Sequence, residues 1–317
     1  MPGCSLQIVM GPAGSGKSTY CQAMQSHADT LPRRKIHVAN MDPAAETFGY
    51  EVDFDIRELI SVTDVMEELG LGPNGSLVYC MEYLLQNGMQ WFQDHLDEYG
   101  DDDYLILDCP GQIELYTHIP VMRQLVETLR IWGFESNMVG VFCVDATFLT
   151  DTSKFLSGSL LSLTAMIALE LPHINVLTKC DLVSEDTVET MLSVESATQL
   201  WDWEQHQQER TSADMISDEL EAMAEEEQRQ SQSQSQKKPT NDLSVRQNIT
   251  PSKESKWSKL TAAISSLLDD YTMVSFLPLN INEPDSMDHV LATMDHTIQF
   301  GESQDVYTGD GAEEEQE

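Results

Sequence analysis

The octapeptide Gly-Pro-Ala-Gly-Ser-Gly-Lys-Ser at positions 11–18 constrains this chain more than any other stretch. A short apolar run, 6–10, precedes it, and a segment compatible with a helix runs from Thr19 to about Ala28. Strand, glycine-rich loop and helix in that order make a phosphate cradle. Glycines 11, 14 and 16 let the backbone curl with its N–H groups toward an anion, and the following helix adds the positive end of its dipole. The expected lining is Ala13, Gly14, Ser15, Gly16, Lys17, Ser18 and Thr19. Lys17 would reach the β- and γ-phosphates. Ser18 would give its hydroxyl to Mg2+, a small hard ion shared between a few protein oxygens and phosphate.

Further apolar runs read as buried strands at 36–40, 104–109, 138–144, 174–177 and 274–277. Helical segments are expected between and after them at 55–69, 81–99, 113–132, 154–171, 260–271 and 287–300, with a turn cluster at 70–75. Strands alternating with helices predict an α/β fold, a doubly wound and mostly parallel sheet flanked by helices. Such sheets bind ligands at the carboxyl ends of their strands.

Three of those ends carry chemistry. Asp42, in Asn-Met-Asp-Pro-Ala, is placed to hold Mg2+ through water or to orient an attacking water; its plainer reading is a turn former before Pro43. Asp108 ends the run at 104–109 and is followed by Pro110-Gly111-Gln112. In that pattern Asp108 holds Mg2+ through water, the Gly111 N–H senses the γ-phosphate, and the Gln112 amide orients the attacking water. In Thr178-Lys179-Cys180-Asp181, the Asp181 carboxylate can accept from guanine N1 and N2, a pair adenine does not offer, and the Lys179 stem can lie along the base. Thr178 stands where Asn is usual, and its hydroxyl can still donate to the base. A backbone turn at Pro278-Leu279 is expected to close over it.

The 317 residues carry a formal net charge of −37, which disfavours direct contact with nucleic acid or an anionic membrane and favours a basic protein partner. Six scattered cysteines, with no C-x-x-C pair, read as reduced cytosolic thiols. The start, Met-Pro-Gly-Cys, leads straight into the first strand-like run, so no signal peptide is expected. The uncharged run at 155–169, apart from being short, is rich in Ser, Thr and Gly and reads as a buried helix, not a membrane span. Residues 1–200 form the first part of a phosphate-loop domain, and 253–300 supply its last helix, strand and helix. Between them, 201–252 read as a low-complexity surface insertion with a Ser-Gln repeat at 231–236. The tail, 301–317, holds seven acidic residues and no Lys or Arg, and is expected to be solvated and disordered.

Taken together, positions 11–21, Asp-Pro-Ala-Ala-Glu at 42–46, Gly72-Pro73-Asn74, Asp-Cys-Pro-Gly-Gln-Ile-Glu-Leu-Tyr-Thr-His at 108–118 and Thr-Lys-Cys-Asp at 178–181 resemble the GPN-loop GTPases. The resemblance covers about 5–183 and 256–300. It implies a P-loop NTPase of the SIMIBI-like dimerising class, with GTP as substrate and Mg2+ as cofactor. It also gives the cluster at 70–75 a role: Asn74 would reach across a dimer interface to the phosphate side of the partner's nucleotide. The partner it implies is the first eukaryotic paralogue of the family, in a heterodimer, or a second copy of this chain. The implied work is assembly and nuclear import of RNA polymerase II, whose subunits would be clients of a cytoplasmic protein that shuttles to the nucleus. Two other readings of the residues stay open: a GTP-dependent scaffold with negligible hydrolysis, and a P-loop kinase acting on a small molecule.

Overall fold

The computed structural model describes residues 4–32, 34–100, 103–193, 263–266, 268 and 274–300. The chain divides into two compact units, 1–192 with 272–317, and 193–271. The first contains one six-stranded sheet: β1 Ser5–Met10, β2 Ile36–Asn40, β3 Tyr104–Asp108, β4 Met138–Asp145, β5 His173–Thr178 and β6 Phe276–Pro278. Their order is β2-β3-β1-β4-β5-β6, and every pairing is parallel. The doubly wound, parallel α/β architecture expected from the alternation of runs is therefore the one observed. The chain builds outward from β1 on one side with β2 and β3 and on the other with β4 to β6, so the loop after β1 opens at the centre of the sheet's carboxyl edge.

Strands β1, β2 and β3 are buried along their whole length, which is why they read as continuous apolar runs. Val9, Val38, Ile106, Val141 and Val176 share one core cluster. It includes Tyr20 and Met24 of α1 (Lys17–Ala28) and Val290, Leu291 and Met294 of α9 (Pro284–Ile298). Alternate side chains, Leu6, Ile8, Leu105 and Leu107, point to the opposite face and are equally buried. Each such side chain contributes roughly 1.5–3 kcal/mol. Gln7 is a fully buried polar side chain of β1; its amide donates to the Tyr104 hydroxyl at 2.6 Å and accepts from Tyr20 at 2.9 Å, so its burial is satisfied. Helix α9 is pinned by Arg34, whose guanidinium forks onto Asp295 and lies 5.1 Å and 4.9 Å from the ring centres of Tyr104 and Phe300.

Three expected helices differ in detail. The periodic stretch at 55–69 breaks into a 3-10 turn, Ile56–Glu58, and α2, Val62–Leu69, because Ser61 is extended and caps the Asp64 N–H. The turn cluster is only half a turn: Gly70 ends α2 in the left-handed region, and α3, Pro73–Tyr83, already begins at Pro73, a residue whose missing N–H suits a first helical position. A π-turn, Leu84–Gly88, then joins α3 to α4, Met89–Leu96. The segment at 113–132 is interrupted at 118–120 into α5, Glu114–Thr117, and α6, Val121–Ile131, with Pro120 at the start of α6. Helices α7, Thr152–Leu169, and α8, Glu185–Ser193, follow their strands. No described helix is long and apolar enough to cross a membrane. All six cysteines are free thiols. The expected insertion at 201–252, most of the helix at 260–271 and the acidic tail lie outside the described residues.

Candidate functional site

The loop between β1 and α1 is shaped by two close approaches at glycines. At Gly11, φ is +141°, and a Cβ there would stand 2.4 Å from the Cys143 carbonyl oxygen at the end of β4. At Gly111, a Cβ would come within 3.0 Å of both Ala13 Cα and Lys17 Nζ, so the segment after β3 lies against the phosphate loop. Lys17 is buried and its ammonium donates to the Gly11 and Pro12 carbonyls at 3.2 Å each. The Ser15 hydroxyl is buried in the loop and has no hydrogen-bond partner among the described residues. An orphaned donor beside a buried cation, at a helix N-terminus, is what a phosphate would satisfy.

Asp108 ends β3 beside this loop with its carboxyl group buried. The Tyr50 hydroxyl donates to Asp108 Oδ2 at 2.9 Å, and the Ser18 hydroxyl lies near this carboxylate. Burial raises the Asp108 pKa above the ordinary carboxylate range; the two hydroxyls and Lys17 oppose the shift, and the Asp42 charge adds to it. Asp42 is likewise raised, chiefly by burial, against the Ala44 N–H, Lys17 and Arg57. One Asp42 oxygen accepts from the Ala44 N–H at 2.9 Å, so the turn-forming role is realised, and its charge still acts at the site. The hydroxyl of Ser18 and the carboxylates of Asp108 and Asp42 are an all-oxygen donor set suited to a small hard cation shared with phosphate.

A support lies behind Asp42 that its neighbours in sequence do not disclose. The Asn40 amide donates to Asp55 Oδ1 at 2.8 Å and to the Asp42 carbonyl at 3.0 Å, while its oxygen accepts from the Asp42 N–H. Arg57 forks onto Asp55, donates to the Ala45 carbonyl at 2.9 Å and covers the Phe48 ring at 4.6 Å. Burial would raise the Asp55 carboxyl, but the Arg57 and Asn40 bonds hold it below its usual range.

At the guanine motif the Thr178 hydroxyl has protein partners. The buried Thr178 hydroxyl, expected to donate to the base, is directed at the Ser15 carbonyl at 2.6 Å and the Val144 carbonyl at 3.0 Å. A hydroxyl has one proton to give, and both acceptors are backbone groups, one in the phosphate loop and one near the end of β4. Lys179, in the left-handed region at φ 60°, donates to the Gly14 carbonyl and to Asp145 Oδ2, both at 2.7 Å. Burial would raise the Asp145 carboxyl, but its bonds to Lys179 and Thr147 hold it low. Asp145 closes β4 as Asp108 closes β3, and that position was the signal for it. Asp181 is exposed on the 3-10 turn Cys180–Leu182. Beside that turn, the Leu279 carbonyl accepts from the Cys180 N–H at 3.4 Å, so the backbone after β6 does reach the motif.

Asn74, at the second position of α3, is exposed, and its side-chain oxygen accepts from Gln112 Nε2 at 2.9 Å. The two residues are 38 apart in sequence. Lys17, Ser18, Asp42, Asp108, Gly111 and Gln112 thus gather at one edge of the sheet with Asn74 at its rim, while Lys179 and Thr178 connect the base motif to the same loop.

Residues 9–244 match the family described as "Conserved hypothetical ATP binding protein". Among curated relatives, the chain is similar to GPN-loop GTPase 3 of Dictyostelium discoideum, at 42% identity over 95% of this chain and 89% of the relative. It is also 42% identical to GPN-loop GTPase 3 of Danio rerio, over 95% and 90% of the two chains, and 41% identical to that of Saccharomyces cerevisiae, over 94% and 93%. A solved GTPase in apo form from Pyrococcus abyssi has the same fold, with a TM-score of 0.64 at 18% identity, covering 94% of this chain and 98% of that one.

Proposed function

This chain belongs to the GPN-loop GTPases, and from that premise we propose a GTP-driven assembly factor that works as a dimer. It is a GTP-binding P-loop protein that hydrolyses GTP to GDP and phosphate. The observation that carries the reading of one bound nucleotide is the pair of hydrogen bonds from Thr178 to Ser15 and from Lys179 to Gly14. They fix the base-reading Asp181 relative to the phosphate loop, so one nucleotide can satisfy both ends.

In the reaction, water attacks the γ-phosphorus, the bond from that phosphorus to the β–γ bridging oxygen breaks, and the proton leaves with phosphate or solvent. Lys17, Ser15 and the loop N–H groups hold the phosphates, and the Gly111 N–H donates to the γ-phosphate. Gln112 orients the water, with Asp42 as its second partner. Mg2+ would be held by Ser18 directly and by Asp108 and Asp42 through water, and when bound it offsets charge on the β- and γ-phosphates. The Asn74 amide donates in trans to the γ-phosphoryl oxygens of the partner's nucleotide.

Support for a partner comes from the apolar side chains around Asn74. Met66, Leu69, Leu71 and Tyr79, on α2, α3 and the turn between them, are 37–51% exposed, and a dimer partner would cover them. That partner is the first paralogue of the family or a second copy of this chain, and the clients are RNA polymerase II subunits, assembled in the cytoplasm and imported into the nucleus. The net charge of −37 suits basic client surfaces. The test is nucleotide identification after gentle purification, followed by turnover measured with the chain alone and mixed with the first paralogue. Guanine nucleotide and faster turnover on mixing are expected for the heterodimer. Bound adenine nucleotide, or no turnover in either form, would overturn the reading.

A further inference from the structure

We propose that Tyr50 is a positioning residue for Asp108, fixing one carboxylate oxygen so that the other is presented to the ion-bound water. The inference rests on the reading of Asp108 as an indirect holder of Mg2+, and extends it to a residue in no nucleotide motif. The Tyr50 ring belongs to the core cluster formed by α1, α9 and the sheet, and its hydroxyl alone reaches the site, at 2.9 Å from Asp108 Oδ2.

The backbone on both sides of Tyr50 is fastened to α1. Gly49 packs so closely on Gln22 that a Cβ would stand 2.4 Å from its side-chain oxygen. Glu51 exchanges two hydrogen bonds with the Gln25 amide, its N–H to Oε1 at 2.8 Å and its carbonyl from Nε2 at 2.9 Å. The phenol therefore arrives at Asp108 from a backbone bonded to α1, with its ring in the core cluster. A buried carboxylate has four lone-pair directions and few partners; with one oxygen held by Tyr50, rotation about the carboxylate axis is stopped. Ser18 is the residue whose hydroxyl would go to the ion, leaving Tyr50 as the hydrogen-bonded contact of this carboxylate. The geometry also links the 42–55 segment to the Asp108 segment, so loosening of one is felt at the other.

The test is Tyr50→Phe, which deletes one oxygen and keeps the ring, read by GDP affinity with excess Mg2+ and with EDTA in calorimetry. The wild-type chain is expected to bind more tightly with Mg2+, and Tyr50→Phe to lose about tenfold of that enhancement while its EDTA affinity stays within about twofold of wild type. In Asp108→Asn, adding Tyr50→Phe should cost nothing more, as a coupled pair requires. Equal enhancement in wild type and Tyr50→Phe, or a parallel loss with EDTA, overturns the positioning role and leaves the Asp108 reading intact. No enhancement in wild type overturns both. A melting temperature of the nucleotide-free variant far below wild type would assign Tyr50 to stability instead.

Discussion

Gln112 and Asn74 hold one another: the Gln112 side-chain amide donates to the Asn74 side-chain oxygen at 2.9 Å within one chain. Both amides are assigned to the transition state of GTP hydrolysis, one to orient water and the other to stabilise phosphoryl charge. In the isolated chain Gln112 is engaged by Asn74, so a partner and a nucleotide must compete for the two amides before both can act.

Asn74→Ala should therefore leave GTP affinity nearly unchanged and lower turnover of the dimer by about 10²-fold, the scale of losing one transition-state donor. Mixing Asn74→Ala chains with Lys17→Ala chains should restore one working site per mixed dimer where the chain self-associates. For a heterodimer the same cross is made with the corresponding residues of the first paralogue. Absence of rescue in dimers shown to form by sedimentation would remove Asn74 from a role in trans.

The base motif separates into a reader and a brace. Asp181→Asn should shift preference from GTP toward xanthosine triphosphate, with a loss for GTP of about 1–3 kcal/mol from the mismatched donor. Thr178→Val removes the one hydroxyl proton available to the Ser15 and Val144 carbonyls and should weaken every nucleotide alike by a similar amount, without changing base preference. Competition binding with GTP, inosine triphosphate and xanthosine triphosphate tells the two apart; a change of base preference in Thr178→Val would return its hydroxyl to the base.

Asp108 makes the stability of the nucleotide-free chain depend on pH. Its pKa is raised on folding, first by burial, so the folded chain binds that proton more tightly than the unfolded chain does. The stability contributed is fully present below the ordinary carboxylate pKa of about 4 and is lost as pH rises through the folded value. At pH 7 the ionised group is a cost, and Asp108→Asn should raise the melting temperature of the nucleotide-free chain by a few degrees while abolishing Mg2+-dependent binding. Scanning calorimetry at pH 5 and pH 7 measures it, and the gain should be larger at pH 7. A lower melting temperature at both values would contradict the burial cost.

The Ser-Gln repeat at 231–236 has no apolar face to bury. Deletion of 228–248 should leave the melting temperature within about 2 °C and GTP affinity within about twofold of the full chain. A chain that no longer folds would show that this stretch packs.

Much of the site was legible in the sequence because phosphate chemistry is local. A cradle needs glycines, Lys17 and Ser18 within one loop, and the strand-end carboxylates Asp42 and Asp108 sit one residue type and one apolar run away from recognition. Parallel pairing of strands also followed from the alternation of runs, since parallel neighbours need crossovers and are buried on both faces. What the sequence could not determine depends on contacts between distant segments. Whether the Thr178 hydroxyl meets a base or the Ser15 carbonyl, 163 residues away, is decided by how β5 lies against β4 beside the phosphate loop. Tyr50 looks like any core aromatic until the fold sets its hydroxyl on Asp108, 58 residues on. The start of α3 at Pro73, which lifts Asn74 onto Gln112, was hidden because Gly-Pro-Asn-Gly favours a turn locally, and only packing of Leu77, Cys80 and Met81 into the interior tips it to helix. The motifs follow from residue chemistry at short range, whereas the partner of each polar atom is set by the packing of the whole sheet.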